Sequence, residues 1–292
     1  MWSGGSKKVE IILDVLKDTL IDAVKILPFL LVAYLIMEYI EHKTTDKTKK
    51  AIKKSGRFGP FIGGVLGAFP QCGFSVTATN LYAGRVITIG TLFAVYLSTS
   101  DEMLPIMLSE GVNGALILKI LGIKILIGII FGVIIDLVLN RFNKNKQEEN
   151  EIKHICEHDH CHCEEGIWRS ATKHTVNVFI YIIIVSLILN ALIAFVGEDR
   201  IASLISDKPI LSSLIAALIG LIPNCASSVV LTELYLSNML GLAAMIGGLL
   251  VNAGVGLIVL FRVNHHQKQN INIVIGLYLI GVLSALILQF LV

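Results

Sequence analysis

Two short stretches of this sequence place a thiol and hydroxyl groups directly after a proline in apolar surroundings. They read FPQCGFS at residues 69–75 and IPNCASS at residues 222–228. Thiols bind soft metal ions, and amides and hydroxyls bind small polar solutes by hydrogen bonds. The side chains that could do this chemistry are Gln71, Cys72, Ser75, Asn224, Cys225, Ser227 and Ser228. Cysteine is also a common small buried residue, so packing alone is the alternative explanation of the two thiols.

Two further polar stretches follow these sites, LSTSDE at residues 97–102 and VNAG at residues 251–254. Their candidate binding side chains are Ser98, Thr99, Asp101, Glu102 and Asn252. A carboxylate inside a membrane span is costly and marks an ion or proton pathway. The alternative is a short helix that ends at the outer surface with both acids in water. Glu233 leaves the same two alternatives open.

A third group of candidate ligands lies in the stretch HICEHDHCHCEE, residues 154–165. It comprises His154, Cys156, His158, His160, Cys161, His162 and Cys163. Imidazole and thiolate together suit Zn(II), Cu(I), Ni(II) or Co(II) better than Mg(II) or Ca(II). The spacing fits no zinc-finger pattern, so we expect a flexible loop that carries a transition-metal ion. A charged linker that binds metal adventitiously is the alternative.

The elements that must position these residues are membrane helices. The chain of 292 residues is 54% hydrophobic and 16% charged, with a mean hydropathy of +0.76. Stretches long enough for a membrane helix, which needs about 20 apolar residues, lie at 19–40, 114–139, 176–196 and 271–292. The basic residues are not interleaved with aromatic ones, which argues against nucleic acid as a partner. We therefore predict an all-α polytopic membrane protein.

The prolines interrupt these helices where the bilayer offers no water. Pro70 and Pro223 each remove an N–H donor and clash with the preceding turn. Such breaks persist in membranes only when they are buried in protein or line a polar cavity. Transporters built from inverted repeats bind their substrate between paired broken helices of this kind. The sequence thus predicts one central site between two broken hairpins.

The two Pro-x-Cys stretches belong to a longer internal similarity. Pro70 aligns with Pro223 and Cys72 with Cys225 at an offset of 153 residues. The order of apolar stretches around both sites is also the same. We therefore predict a first transmembrane repeat at 1–140, a cytoplasmic His/Cys-rich linker at 141–174 and a second repeat at 175–292.

The distribution of basic residues sets the orientation of the two repeats. Residues 42–57 contain seven Lys or Arg and residues 141–174 contain six, which places both stretches in the cytoplasm. Each repeat then has three crossing helices and one re-entrant hairpin, and this odd number makes the repeats inverted. Parallel repeats, with 59–84 as one broken crossing, would place a basic linker outside. Lys119 and Lys124 fit either arrangement only if they snorkel or face a cavity.

Several of these stretches together resemble a bacterial permease family. They are LIDAVKILPFLLVAYLIMEYIEHK, GAFPQCGFSVTATNLYAGRVITIGTLFAVYLSTSDEMLPIML, DHCHCE and IPNCASSVVLTELYL. Members of that family are described as manganese transporters, arsenic efflux proteins or heavy-metal exporters. The resemblance covers nearly the whole chain and implies a multi-pass exporter of a metal ion or metalloid in the prokaryotic inner membrane.

We accordingly expect a secondary transporter that works by alternating access, with the lipid bilayer and a small ion or metalloid as its partners. No G-x4-G-K-[ST] loop is present, so an ion gradient would supply the energy. We expect no required cofactor, and a homodimer remains open. An ion-coupled transporter of a small organic or anionic solute is the main alternative, and a metal sensor without transport is a weaker one. The sequence contains no HExxH or GxSxG motif, so we do not expect an enzyme.

Overall fold

The structure, a computed structural model, describes residues 58–69, 72–100, 102–142, 167–196 and 209–291, with scattered helical positions between 16 and 35. These described residues form helices and short connections, and no strand occurs among them, in agreement with the predicted all-α class. The helices with defined ends are α1 (Gly59–Gly67), α2 (Cys72–Ala83), α3 (Ile89–Ser98), α4 (Met103–Ser109), α5 (Gly114–Phe142), α6 (Ile167–Val196), α7 (Pro209–Gly220), α8 (Cys225–Leu236), α9 (Leu242–Val251), α10 (Gly256–Val263) and α11 (Gln267–Leu291).

Three stretches of the described chain are long and apolar enough to cross a membrane: Gly114–Leu139, Leu242–Val263 and Gln267–Leu291. The first and third lie in α5 and α11, and the second comprises α9, α10 and their connection. On α11, exposed large apolar side chains recur every four residues, at Ile271, Ile275, Leu279, Leu283 and Ile287. An apolar outer stripe of this length suits lipid, whereas it would be costly in water.

The centre of the molecule is formed by α3 and α9, which pack on each other and are buried along nearly their whole length. Helix α5 packs against α3, and α11 packs against α9 on the other side. Small residues allow these close approaches. A Cβ atom added to Gly128 of α5, for example, would lie 2.8 Å from the Ala94 carbonyl oxygen of α3.

Helix starts in the second part of the chain recur 153 residues after those in the first part. Cys72 and Cys225 begin α2 and α8, and the same offset separates the first residues of α3 and α9, of α4 and α10, and of α5 and α11. Arg85 and Asn238 lie at the same offset and both have a positive φ, 58° and 59°. The local backbone conformation therefore follows the offset that the sequence similarity predicts.

The two parts of the chain interlock. Helix α2 packs on α10 of the second part, and the corresponding helix α8 packs on α4 of the first. The contacts between α5 and α9 and between α11 and α3 form a second pair of the same kind. In both pairs, the contacting helices of the two parts begin at positions related by the offset of 153 residues.

Helices overlap both ends of the stretch predicted as a linker at 141–174. Helix α5 continues to Phe142, and α6 begins at Ile167. All seven predicted ligands between His154 and Cys163 lie outside the described residues.

Candidate site at the helix interruptions

The interruptions that the sequence predicts are found as helix ends. Helix α1 ends at Gly67 before α2 begins at Cys72, and α7 ends at Gly220 before α8 begins at Cys225. The other two interruptions lie between α3 and α4, at residues 99–102, and between α9 and α10, at residues 252–255. Each helix end leaves backbone amides or carbonyls without an intrahelical partner, so these groups need other partners or a ligand.

In the first half, two of the interruptions contact each other. The Ser100 hydroxyl donates a hydrogen bond of 2.5 Å to the carbonyl of Ala68, which follows α1. The hydroxyls of Ser98 and Thr99 donate at 2.8 Å to carbonyls one turn earlier in α3. All three hydroxyls are buried and stabilise backbone at the interruption. Glu102 is half-buried at the start of α4, and Asp101 lies outside the described residues.

In the second half, predicted site residues form the first turn of α8. The Asn224 side-chain oxygen caps this helix by accepting a bond of 3.4 Å from the Ala226 amide. The Ser227 and Ser228 hydroxyls donate at 2.7 Å to the carbonyls of Asn224 and Cys225. Cys225 itself is buried, with 3% of its surface exposed. Pro70, Gln71 and the Cys72 side chain lie outside the described residues, so two facing thiols remain a prediction.

A cluster of hydroxyls joins the two halves where α2 crosses α10. The Tyr96 hydroxyl donates to the Gly256 carbonyl at 3.2 Å and lies 2.5 Å from the Thr79 hydroxyl. Thr79 in turn donates to the Ser75 carbonyl at 2.7 Å, and Ser75 packs directly on Gly256. Of these residues only Ser75 was predicted from the sequence.

A signal for Thr79 is nevertheless present in the sequence. At the offset of 153 residues Thr79 aligns with Thr232, which is buried and donates to the Ser228 carbonyl at 2.7 Å. Tyr96 has no such signal, because its counterpart at that offset is Leu249.

Lys124 of α5 is a buried charged residue that contacts two of the helix interruptions. Only 1% of its surface is exposed, and its ammonium donates to the Thr99 carbonyl and, at 3.0 Å, to the Leu249 carbonyl of α9. It therefore ties the interruption that follows α3 to the end of α9 in the other half. Lys119 of the same helix is exposed. Sequence reasoning noted both lysines but did not place Lys124 in the site, although a lysine within an apolar span is itself a functional signal.

Asn252 has an unsatisfied donor at the interruption between α9 and α10. Its side-chain oxygen accepts from the Gly254 amide at 2.8 Å, but its Nδ2 finds no partner among the described residues. With 2% of Asn252 exposed, this amide is shielded from solvent, and an unpaired buried donor costs about 1–3 kcal/mol. A ligand or water oxygen bound beside Asn252 would remove that cost. Glu233, by contrast, is exposed on α8.

The described residues contain no group of three His, Cys, Asp or Glu side chains close enough to hold a metal ion. Within that part of the chain, the site offers carbonyls, hydroxyls, the Glu102 carboxylate, the Asn252 amide and the Cys225 thiol. A metal ion bound there would need ligands from these groups, or from Asp101 and Cys72.

Comparison with known proteins identifies the family. A family model described as "Putative, 10TM heavy-metal exporter" matches residues 7–198 and 139–268 of the chain. No curated protein and no solved structure matches the chain. The family match covers most of the sequence and confirms the resemblance found in its motifs. The chain belongs to this family of multi-pass heavy-metal exporters.

Proposed function

We propose that this member of the heavy-metal exporter family is a secondary transporter that moves a metal ion or metalloid out of a prokaryotic cell by alternating access. Family membership and the apolar outer helices support a small ion as cargo and the inner membrane as location. The observation that carries the mechanism is the meeting of helix interruptions from both halves at Lys124. Discontinuous helices that meet inside a membrane protein are a recurrent way to build a transport site.

The two halves are proposed to be inverted repeats. Their helix starts recur at one offset, and their contacts are exchanged in pairs. The basic stretches at 42–57 and 141–174 favour a cytoplasmic position for both, which requires opposite orientations of the halves. Helices α1 and α2, and likewise α7 and α8, then form re-entrant hairpins that enter from opposite sides.

The cargo is proposed to bind between these hairpins and the two central interruptions. Its binding groups come from Gln71, Cys72, Ser75, Ser98, Thr99, Asp101, Glu102, Asn224, Cys225, Ser227, Ser228 and Asn252. The two thiols suit a soft ion or trivalent arsenic. Asp101 or Glu102 is neutralised by cargo or a proton in each cycle, because an empty anionic site is costly within the bilayer. The linker at 154–165 binds a transition-metal ion, and it either regulates transport or delivers the ion to the membrane site.

Flux into liposomes tests this proposal with Mn(II), Zn(II), Ni(II), arsenite and organic anions as a panel. We expect Cys72→Ser and Asp101→Asn each to lower flux of the true substrate at least about tenfold, the effect of losing roughly 1.4 kcal/mol of interaction. Glu110→Gln, exposed at the end of α4, is the matched control for Asp101→Asn. If both site variants transport every substrate normally, the assigned site is wrong.

The linker has its own test in the same assay. Deleting residues 154–165 should only modulate flux if the membrane site moves the ion. Absence of flux in the unmodified protein, together with metal binding that this deletion abolishes, would instead support a metal sensor without transport.

One observation favours the alternative of an anionic or organic cargo. The buried ammonium of Lys124 and the unpaired Asn252 amide are both hydrogen-bond donors, which suit an oxyanion or carboxylate. Direct binding of metal ions and organic anions to the purified protein separates the two candidates. Binding of organic anions without any metal binding would replace the exporter proposal.

A further inference from the structure

The Lys124 ammonium lies deep inside the molecule and contacts the ends of two helices. Lys124 lies near the middle of the apolar stretch Gly114–Leu139, and 1% of its surface is exposed. Burying a positive charge at such depth is expensive unless opposite charge compensates it. Among the contacts of its Nζ atom are two backbone carbonyl oxygens, at Thr99 and Leu249.

Both carbonyls lie at a helix end, where the intrahelical hydrogen bonds stop. Helix α3 ends at Ser98, one residue before Thr99. In α9 the last ladder bond joins the Asn252 amide to the Gly248 carbonyl at 3.2 Å, so the Leu249 carbonyl lies just beyond it. The carboxyl end of a helix carries about half a negative charge. Unpaired carbonyls at two such ends attract positive charge, and the Lys124 ammonium contacts one carbonyl at each.

We propose that the Thr99 and Leu249 carbonyls form a monovalent-cation site, and that the Lys124 ammonium fills this site in place of a mobile ion in the present conformation. The ligand class is a monovalent metal ion or a primary ammonium. The residue 153 positions after Lys124 is the buried Leu277, so the corresponding position of the other half carries no ammonium.

The consequence for transport rests on the function proposed above. Lys124 and Thr99 belong to the first half and Leu249 to the second, so movement of one half against the other withdraws the ammonium from one of its carbonyls. A coupling cation then binds the same helix ends. Lys124 thus acts as a tethered competitor of that cation.

Chemical rescue of Lys124→Ala tests the site directly. Propylammonium supplies three carbons and a charged nitrogen, matching the Cγ, Cδ, Cε and Nζ atoms that this truncation removes. We expect it to raise the thermal unfolding midpoint of the full-length variant in detergent, saturably and by at least about 4 °C at 100 times its dissociation constant. The neutral analogue 1-propanol should have no such effect. Lys119→Ala, which truncates the exposed lysine of the same helix, should show no rescue. Equal effects of propanol and propylammonium, or equal rescue of Lys119→Ala, would overturn the inference.

A second variant keeps the inference testable if Lys124→Ala does not fold. Lys124→Gln retains hydrogen-bond donors but removes the charge. Because the site requires a positive charge, we expect its unfolding midpoint to fall by at least about 4 °C, the shift that a tenfold to hundredfold loss in the folding equilibrium produces at this size. An unchanged midpoint would show that the carbonyls need only hydrogen bonds, and the cation site would be rejected.

Failure of this inference and failure of the proposed function are distinguishable. Rescue by propylammonium requires no transport, so rescue without metal flux in the unmodified protein contradicts only the proposed function. Metal flux in the unmodified protein, combined with no rescue in the variant, contradicts only the cation site.

Discussion

At the scale of single residues, the hydroxyls of Tyr96 and Thr79 join the two halves through the Gly256 carbonyl. We predict that Tyr96→Phe lowers the free energy of unfolding by about 1–2 kcal/mol, because the substitution removes a buried hydroxyl that contacts both the Gly256 carbonyl and the Thr79 hydroxyl. Chemical unfolding in detergent measures this loss. The coupling with Thr79 follows from a double-mutant cycle with Thr79→Val.

A matched tyrosine controls this prediction. The Tyr278 hydroxyl donates to the Leu214 carbonyl at 3.5 Å, and both residues belong to the second half. Because that bond is longer and does not join the halves, Tyr278→Phe should cost less than Tyr96→Phe. Equal losses for the two variants would show that the cluster at Gly256 contributes nothing beyond an ordinary tyrosine hydroxyl.

Lys119 and Lys124 show how far single residues could be predicted. Both stand out in the sequence as charges within an apolar stretch. Five residues of α-helix turn a side chain by about 140° relative to the first, so the two lysines must face different directions. Which of them faces inward depends on the packing of α5 against α3 and α9, and that information is not contained in the local sequence.

At the scale of helices, α5 complements the dipole of α3 at both ends. Near the amino end of α3, the Asp136 carboxylate accepts bonds from the Gly90 amide at 2.9 Å and from the Thr88 hydroxyl at 2.6 Å. At the carboxyl end, Lys124 donates to the Thr99 carbonyl. A negative charge at the start of a helix and a positive charge at its end are both stabilising.

We predict that Asp136→Asn lowers the free energy of unfolding by about 1–2 kcal/mol, since it removes the charge from the amino end of α3 and weakens two hydrogen bonds. Thermal unfolding in detergent gives the measurement. Glu110→Gln, which neutralises an exposed carboxylate after α4, should change stability little. A loss of the same size at Glu110 would mean that net charge, and not the cap on α3, is responsible.

Two glycines of α5 test how tightly α3 and α5 pack. A Cβ atom at Gly128 would lie 2.8 Å from the Ala94 carbonyl oxygen, whereas one at Gly122 meets nothing within 4 Å. We predict that Gly128→Ala destabilises by about 1–3 kcal/mol through overpacking. Gly122→Ala should be neutral or stabilising by up to about 1 kcal/mol, from helix propensity. Unfolding midpoints of the two variants check the difference, and a Gly128→Ala protein as stable as Gly122→Ala would contradict the close packing.

The helix interruptions were the elements best predicted from the sequence. Proline and polar side chains oppose helix continuation in an apolar setting, so Pro223 and the stretches at 97–102 and 251–254 indicated where helices end. The exact ends differ by one or two residues, since Leu97 and Ser98 remain in α3. The hydroxyl cluster at Gly256 could not be predicted, because it depends on the crossing of α2 with α10 from the other half.

At the scale of the whole molecule, the inverted and parallel arrangements differ in how the two halves are oriented in the membrane. If the halves are repeats, as proposed, the exchanged contacts between α2 and α10 and between α8 and α4 fit an approximate two-fold relation. An axis in the plane of the membrane gives inverted halves, and an axis along its normal gives parallel halves. The two cases place equivalent turns on opposite sides or on the same side of the membrane.

The turns after α2 and α8 decide between these cases, because Arg85 and Asn238 have the same left-handed backbone conformation and mark equivalent positions. Their following residues, Val86 and Met239, lie at the same offset of 153. With the five native cysteines replaced, we predict that an impermeant maleimide labels Met239→Cys in intact cells but Val86→Cys only after permeabilisation. The reason is that the basic stretch at 42–57 holds the first turn on the cytoplasmic side. Labelling of both cysteines from the same side would establish parallel halves, and α1 and α2 would then form one interrupted crossing instead of a re-entrant hairpin.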